Sequence, residues 1–96
     1  MNNFIAHILI VDDDDGIRSL LRQYLNQNNF LVTTANSAES AEEKVLIVKF
    51  DLIVLDVMMA GKSGLEFIKD NKSKINTPII LLTAKGETED RVGGLA

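Results

Sequence analysis

The sequence predicts an α/β fold, an open parallel sheet with helices on both faces. Three observations carry that expectation. The runs from Ile8 to Val11, Leu52 to Leu55 and Ile79 to Leu82 are short, apolar and unbroken. They are too short for helices and lack polar alternation, as strands covered on both faces do. Each run is closed by an oxygen-bearing side chain: Asp12 and Asp13 after the first, Asp56 after the second, Thr83 after the third. Segments with helical apolar spacing separate the runs over short loops, which implies right-handed crossovers and parallel strands. The order is β-α-β-α-β-α-β followed by a partial helix.

After a polar start the first strand runs from Ile8 to Val11, and His7 at its entry reads as a strand-edge residue rather than a ligand. Ile17, Leu20, Leu21, Tyr24 and Leu25 then recur at helical spacing between Arg18, Arg22, Gln23 and Asn26. They predict an amphipathic first helix capped by Asp14 or Asp15 and ended by the asparagine-rich stretch from Asn26 to Asn29. Phe30 to Ala35 is β-branched with partial alternation, as suits a strand near the sheet edge. Asn36 and Ser37 follow as a cap. A second helix from Ser37 to about Val48 turns the small face Ala38, Ala41, Val45 and Val48 inward and carries Glu39, Glu42, Glu43 and Lys44 outside. The central strand lies within Asp51 to Met59. Gly61 and Gly64 punctuate the following loop, and a third helix with Leu65 and Ile68 on one face runs to about Asn71. Thr77 and Pro78 introduce the strand from Ile79 to Leu82. A fourth helix begins near Glu87, with Val92 and Leu95 on one side.

At 96 residues the chain is one domain at most, with no room for a separate effector domain. Its 46% hydrophobic and 25% charged residues are those of an ordinary globular chain. The absence of cysteine excludes disulfides, thiolate metal sites and thiol catalysis. There is no signal-peptide pattern or membrane-length apolar run, so the expected location is the cytoplasm, with no membrane partner. A net charge of −4 offers no general electrostatic reason to bind nucleic acid.

Asp12, Asp13 and Asp56 converge if the first and third strands are neighbours, at the edge where open α/β sheets bind ligands. Carboxylates so close together either hold protons or recruit a hard cation. Oxygen donors without histidine or cysteine select magnesium or manganese over zinc, and magnesium fits best. A carboxylate beside such a cation can attack a phosphoryl group, and the Thr83 hydroxyl can then hydrogen-bond a phosphoryl oxygen. Asp14 and Asp15 read as loop and cap. Lys62, Lys69 and Lys85 read as solvent-facing, and Met58 and Met59 as packing residues in their side chains. An EF-hand loop fits badly, because aligning Gly16 with its invariant glycine puts Val11 at the first ligand position and Arg22 at the last.

Three motifs in order, Ile8-Leu-Ile-Val-Asp-Asp-Asp14, Asp51-Leu-Ile-Val-Leu-Asp-Val-Met-Met59 with Gly61 and Gly64, and Pro78-Ile-Ile-Leu-Leu-Thr-Ala-Lys85, closely resemble the receiver domain of two-component response regulators. The resemblance covers essentially the whole chain. It implies a flavodoxin-like receiver topology with strand order 2-1-3-4, an order taken from the family. It further implies that residues 1–96 are a single receiver-like domain, incomplete at the carboxy terminus, without the family's fifth strand and last helix. Asp56 is then the phospho-acceptor, served by a sensor histidine kinase, in a stoichiometric reaction and not a turnover enzyme's. Asp12, Asp13, Asp56 and the backbone carbonyl of Met58 hold Mg2+. Thr83 is the hydroxyl that contacts the phosphoryl group, with Ala84 the small neighbour that leaves it room.

Two departures from the family bear on these expectations. Ala60 stands where proline is common, which is expected to loosen the loop without removing any chemical group. The family's phosphate-contacting lysine and switch aromatic have no counterpart, and Lys85 is not that lysine. The strand from Ile79 to Leu82 is then an exposed apolar edge, and self-association through Ile79 to Leu95 is expected. A rival reading is a haloacid-dehalogenase-like phosphatase, its Asp-x-Asp motif taken from Asp12-Asp13-Asp14 or Asp13-Asp14-Asp15 and its second motif from the run closed by Thr83. That reading leaves Asp56 without a role. A third is a receiver remnant that cannot switch.

Overall fold

A computed structural model describes residues 3–82. The elements in order are β1 (His7–Val11), α1 (Asp15–Gln27), β2 (Leu31–Ala35), α2 (Ala38–Ile47), β3 (Leu52–Asp56), α3 (Gly64–Asn71) and β4 (Ile79–Leu82). The strands form one parallel sheet in the order β2-β1-β3-β4, as expected. The helix expected near Glu87, with Val92 and Leu95, lies outside the described residues.

Each helix starts where a short polar side chain satisfies free backbone donors. Asp14, not Asp15, caps α1 and accepts from the Ile17 amide at 3.0 Å. Ser37 caps α2 by accepting from the Ser40 amide at 3.0 Å. Ser63 and Glu66 form a reciprocal capping box at α3.

Side chains alternate across the sheet, so β1, β2 and β3 each feed two cores. Leu9, Val11, Ile53 and Leu55 face Ala38 and Ala41 of α2 and Phe67 of α3. Ile8, Ile10 and Val32 face the other way and pack with Leu21 and Leu25 of α1. This two-sided burial is why β1 reads as an unbroken apolar run. At its entry His7 is structural, as expected. Its amide donates to Asp51 Oδ2 at 2.8 Å, its Nε2 lies 2.8 Å from Thr33 Oγ1, and its ring meets Phe50 edge-on.

The apolar faces of two helices differ from the expected ones. Of the five α1 residues, Leu21 and Leu25 reach the sheet, while Leu20 and Tyr24 are 66% and 61% exposed. The i, i+4 pair is as wide as the contact with β1 and β2, and the rest of the stripe faces away. In α3 the buried side is Gly64, Phe67 and Asn71 with Ile68 against it, whereas Leu65 is 56% exposed. The close approach of Gly64 to β3 sets the rotation of this helix and turns Phe67, not Leu65, inward. The two exposed residues of β4, Ile80 and Leu81, also depart from a fully covered strand. Among the described residues β4 has a neighbour on one side alone, β3. Of the region from Ile79 to Leu95 expected to self-associate, this strand is the described part.

Phe67 is fully buried, so Phe67→Ala is expected to cost about 3–5 kcal/mol. Leu65→Ala is expected to stay within about 0.5 kcal/mol of the parent. Urea unfolding midpoints measure both, and the opposite ranking contradicts this orientation of α3.

Candidate functional site

The site is built by strand register. Val11 pairs with Leu55, so Asp12 and Asp56, each one residue further on, leave neighbouring strands side by side. Asp13 follows on the loop. One carboxylate oxygen from each of Asp12, Asp13 and Asp56 lies within 4.8 Å of the others. Asp12 is buried at 3% exposure, Asp56 is half-buried and Asp13 is exposed.

Backbone donors fix the three carboxylates individually. Asp12 Oδ1 accepts from the Asp14 amide at 2.9 Å, and its own amide donates to the Ala35 carbonyl at 3.2 Å. Asp56 Oδ1 accepts from the Met58 amide at 3.2 Å. Asp13 Oδ2 accepts from the Ala60 amide at 3.2 Å. This last bond adds to the expectation for Ala60: a proline has no N–H, so alanine supplies a donor to the site that a proline could not.

Burial pushes the Asp56 carboxyl above its ordinary value of 3.8, opposed by the Met58 N–H and reinforced by the charges of Asp12 and Asp13. No cationic side chain among the described residues pairs with the cluster. Arg18 Nη1 donates to the Asp12 carbonyl at 2.8 Å, and its Nη2 bonds the Asp15 carboxylate. The arginine therefore ties α1 to the end of β1 without neutralising the site. Asp14 is the cap of α1, as expected, whereas Asp15 pairs with Arg18, a contact the sequence pattern does not predict.

The loop from β3 to α3 is shaped by Gly64. Its amide donates to the Val57 carbonyl at 3.0 Å, and a Cβ built on it overlaps the Asp56 carbonyl oxygen. Only glycine lets α3 begin this close to the strand end. Gly61 adopts φ 77°, the left-handed region that glycine occupies without cost. Both glycines stand out in the sequence, but these reasons for them are visible only in the packed loop. Ser63-Gly-Leu-Glu66, not among the expected signals, has the capping-box spacing that marks the start of α3 in the sequence. Lys62 is not solvent-facing: its ammonium bridges Glu42 and Asp70. Met59 is buried as expected, but the Met58 side chain is exposed. Thr83, Ala84 and Lys85 lie outside the described residues. A cavity of about 530 Å³ between residues 45–51 and 74–78 is at the opposite edge of the sheet and touches none of the carboxylates.

A doubly wound α/β domain with acidic side chains clustered at the carboxyl edge of its central strands is the class that this fold and site define. Residues 8–96 match the family described as response regulator receiver domain, and the chain belongs to that family. It is 52% identical over 89 residues to Protein PetR of Rhodobacter capsulatus, covering 93% of this chain and 38% of that protein. It is 47% identical over 87 residues to the transcriptional regulatory protein ResD of Bacillus subtilis, covering 91% of this chain and 36% of that one. The chain thus spans under two fifths of the length of these two relatives. Among solved structures, the Francisella response regulator 1452 receiver domain superposes with a TM-score of 0.79 at 32% identity, over 94% of this chain and 75% of that one. The response regulator TrrA of Thermotoga maritima, solved in complex with Mg(2+)-BeF, gives 0.77 at 35% identity, over 99% and 80%. Membership places the chain in two-component signalling. The phosphatase alternative falls here, since the matches are to receivers and Asp56 stands in the acidic cluster. No helix among the described residues is long and apolar enough to cross a membrane.

Because the Asp56 carboxyl binds its proton more tightly folded than unfolded, its ionisation lowers stability. That cost is absent below pH 3.8, grows as pH rises towards the folded value, and is complete above it. Without divalent ions, Asp56→Asn is therefore expected to melt above the parent at pH 7, with the advantage vanishing near pH 3. Equal melting temperatures at pH 7 contradict the raised carboxyl. Gly64→Ala is expected to destabilise by about 1–3 kcal/mol through overpacking against the Asp56 carbonyl, measured by urea unfolding.

Proposed function

We propose that this domain accepts a phosphoryl group on Asp56 in a cation-dependent step, with a sensor histidine kinase as the donor. The convergence of the Asp12, Asp13 and Asp56 oxygens within 4.8 Å carries the reading. A cluster of oxygen donors with no cationic partner among the described residues suits a hard divalent ion, and magnesium is the natural occupant. TrrA, 35% identical, is a response regulator protein solved in complex with Mg(2+)-BeF, which supports the same assignment here. Asp12, Asp13, Asp56 and the Met58 carbonyl are the proposed ligands. When bound, magnesium supplies positive charge for the phosphoryl oxygens and relieves the mutual repulsion of the carboxylates.

The chain's own contribution is placement and electrostatics. The free oxygen of Asp56 is the nucleophile; it forms an O–P bond as the P–N bond of a phosphohistidine breaks and the imidazole nitrogen leaves with the electron pair. The Met58 amide keeps the other oxygen of Asp56 turned into the loop. Asp12, held by the Asp14 amide, and Asp13, held by the Ala60 amide, present fixed oxygens to the cation. Thr83 is the proposed hydroxyl for a phosphoryl oxygen. The transfer is stoichiometric, one group per domain, and the output lies with whatever the domain is coupled to.

Incubation with a small acyl phosphate and magnesium, followed by intact-mass measurement, is expected to add one phosphoryl group to the parent and none to Asp56→Asn. Addition that survives Asp56→Asn overturns the assignment. Independently, magnesium in the millimolar range, about where a weak site fills, is expected to raise the melting temperature of the parent, because it binds the folded state alone. Asp12→Asn is expected to abolish most of that rise.

A further inference from the structure

Lys62 sits in the loop between Asp56 and α3, and two helices grip its side chain. Its Nζ donates to Glu42 Oε2 of α2 at 2.7 Å and pairs with Asp70 Oδ2 of α3 at 2.8 Å. Glu42 Oε2 also accepts from Asn71 Nδ2 at 2.9 Å. Asn71 is buried, and the same Nδ2 donates to the Phe67 carbonyl. The Lys62 and Glu42 side chains are 24% and 26% exposed and that of Asp70 is 50% exposed, so the triad lies at the surface and is only partly shielded from water and salt. The partners reinforce one another: hydrogen bonds from Lys62 hold the Glu42 and Asp70 carboxyls below their ordinary values, and those carboxylates hold the ammonium above its own.

The loop so gripped also touches the acidic cluster twice, through the Met58 amide on Asp56 and the Ala60 amide on Asp13. We propose that Lys62 is a positioning residue for the cation site, pinning residues 57–63 to α2 and α3 so that the loop backbone and the carboxylates it holds are ready to receive the ion. The inference rests on the magnesium-dependent reading of Asp56. A small hard cation demands near-octahedral oxygen ligands, and a loop that must be ordered during binding takes that cost from the apparent affinity. With the cation bound the loop is ordered in any case. Lys62 therefore acts on cation affinity and not on the phosphoryl transfer that follows.

The test compares the parent, Lys62→Met and Lys62→Arg by magnesium titration of the Met58 and Ala60 amide resonances, and by the magnesium dependence of phosphorylation from a small acyl phosphate. Lys62→Met is expected to weaken magnesium about fivefold, the scale of one partly shielded ion pair, and to raise the half-saturating magnesium concentration for phosphorylation by the same factor. The rate at saturating magnesium is expected to stay unchanged, and Lys62→Arg, which can still span two carboxylates, to restore most of the affinity. A loss of global stability alone moves none of these folded-state readouts. If Lys62→Met does not fold, Asp70→Asn, which removes the outer partner, is expected to weaken magnesium in the same direction by a smaller factor. Unchanged affinity in the folded variant, a fallen saturating rate with unchanged affinity, or equal weakening in Lys62→Arg overturns the proposal. A parent chain that binds no magnesium overturns the reading of the site and this inference together; a parent that binds while the variants bind equally well overturns the inference alone.

Discussion

The parallel register between β1 and β3 sets Asp12 beside Asp56, and the features of the site are responses to that proximity. The apolar runs that precede the two aspartates are buried on both faces of the sheet, so packing fixes the register and the register fixes the distance between the charges. Hydrophobic burial, the dominant favourable term in folding, thus pushes like charges together at one edge. Asp56 records the conflict in a carboxyl raised by burial and by its neighbours. A polypeptide that stores unfavourable charge at one point is poised to gain from any ligand that removes it.

Backbone amides relieve part of this charge without cancelling it. Asp14, Met58 and Ala60 each donate one N–H to one of the three carboxylates, and each donor belongs to the loop that follows a strand. The carboxylates are therefore held in orientation while their remaining oxygens stay available. Two of these amides lie in the loop from β3 to α3, whose far end is set by the glycine contact and the capping box at the start of α3. Site geometry and helix placement are in this way a single problem. A side chain at Gly64 or the loss of the cap moves α3 and the loop together.

Much of the architecture is legible in the sequence. The apolar runs mark β1, β3 and β4 to within one residue; for β1 and β3 this is because a strand covered on both faces has no room for polar alternation, while β4 keeps the apolar run with two of its residues exposed. Asp12, Asp13 and Asp56 were legible because carboxylates directly after such runs have few structural explanations. Helix faces were less legible. Ile17, Leu20 and Tyr24 match the helical period of Leu21 and Leu25, yet periodicity reports which residues share a side and not how wide the contact is. Leu65 and Phe67 are both apolar and near the start of α3, and only the rotation of the helix chooses between them.

By itself the sequence determined the α/β class, the strand ends, and the carboxylates placed at those ends, since all of these follow from local hydrophobic pattern and from residues at fixed offsets. The resemblance to receivers supplied the strand order before the structure displayed it. Tertiary structure alone decided the rest: that Phe67 rather than Leu65 enters the core, that Ala60 contributes its N–H to Asp13, and that Lys62 joins α2 to α3. Each of these depends on groups separated in sequence or on a backbone atom that every residue but proline carries. Neither composition nor periodicity encodes such contacts, because they are settled by how close two elements can pack, here by the bare Cα of Gly64 against the carbonyl of Asp56.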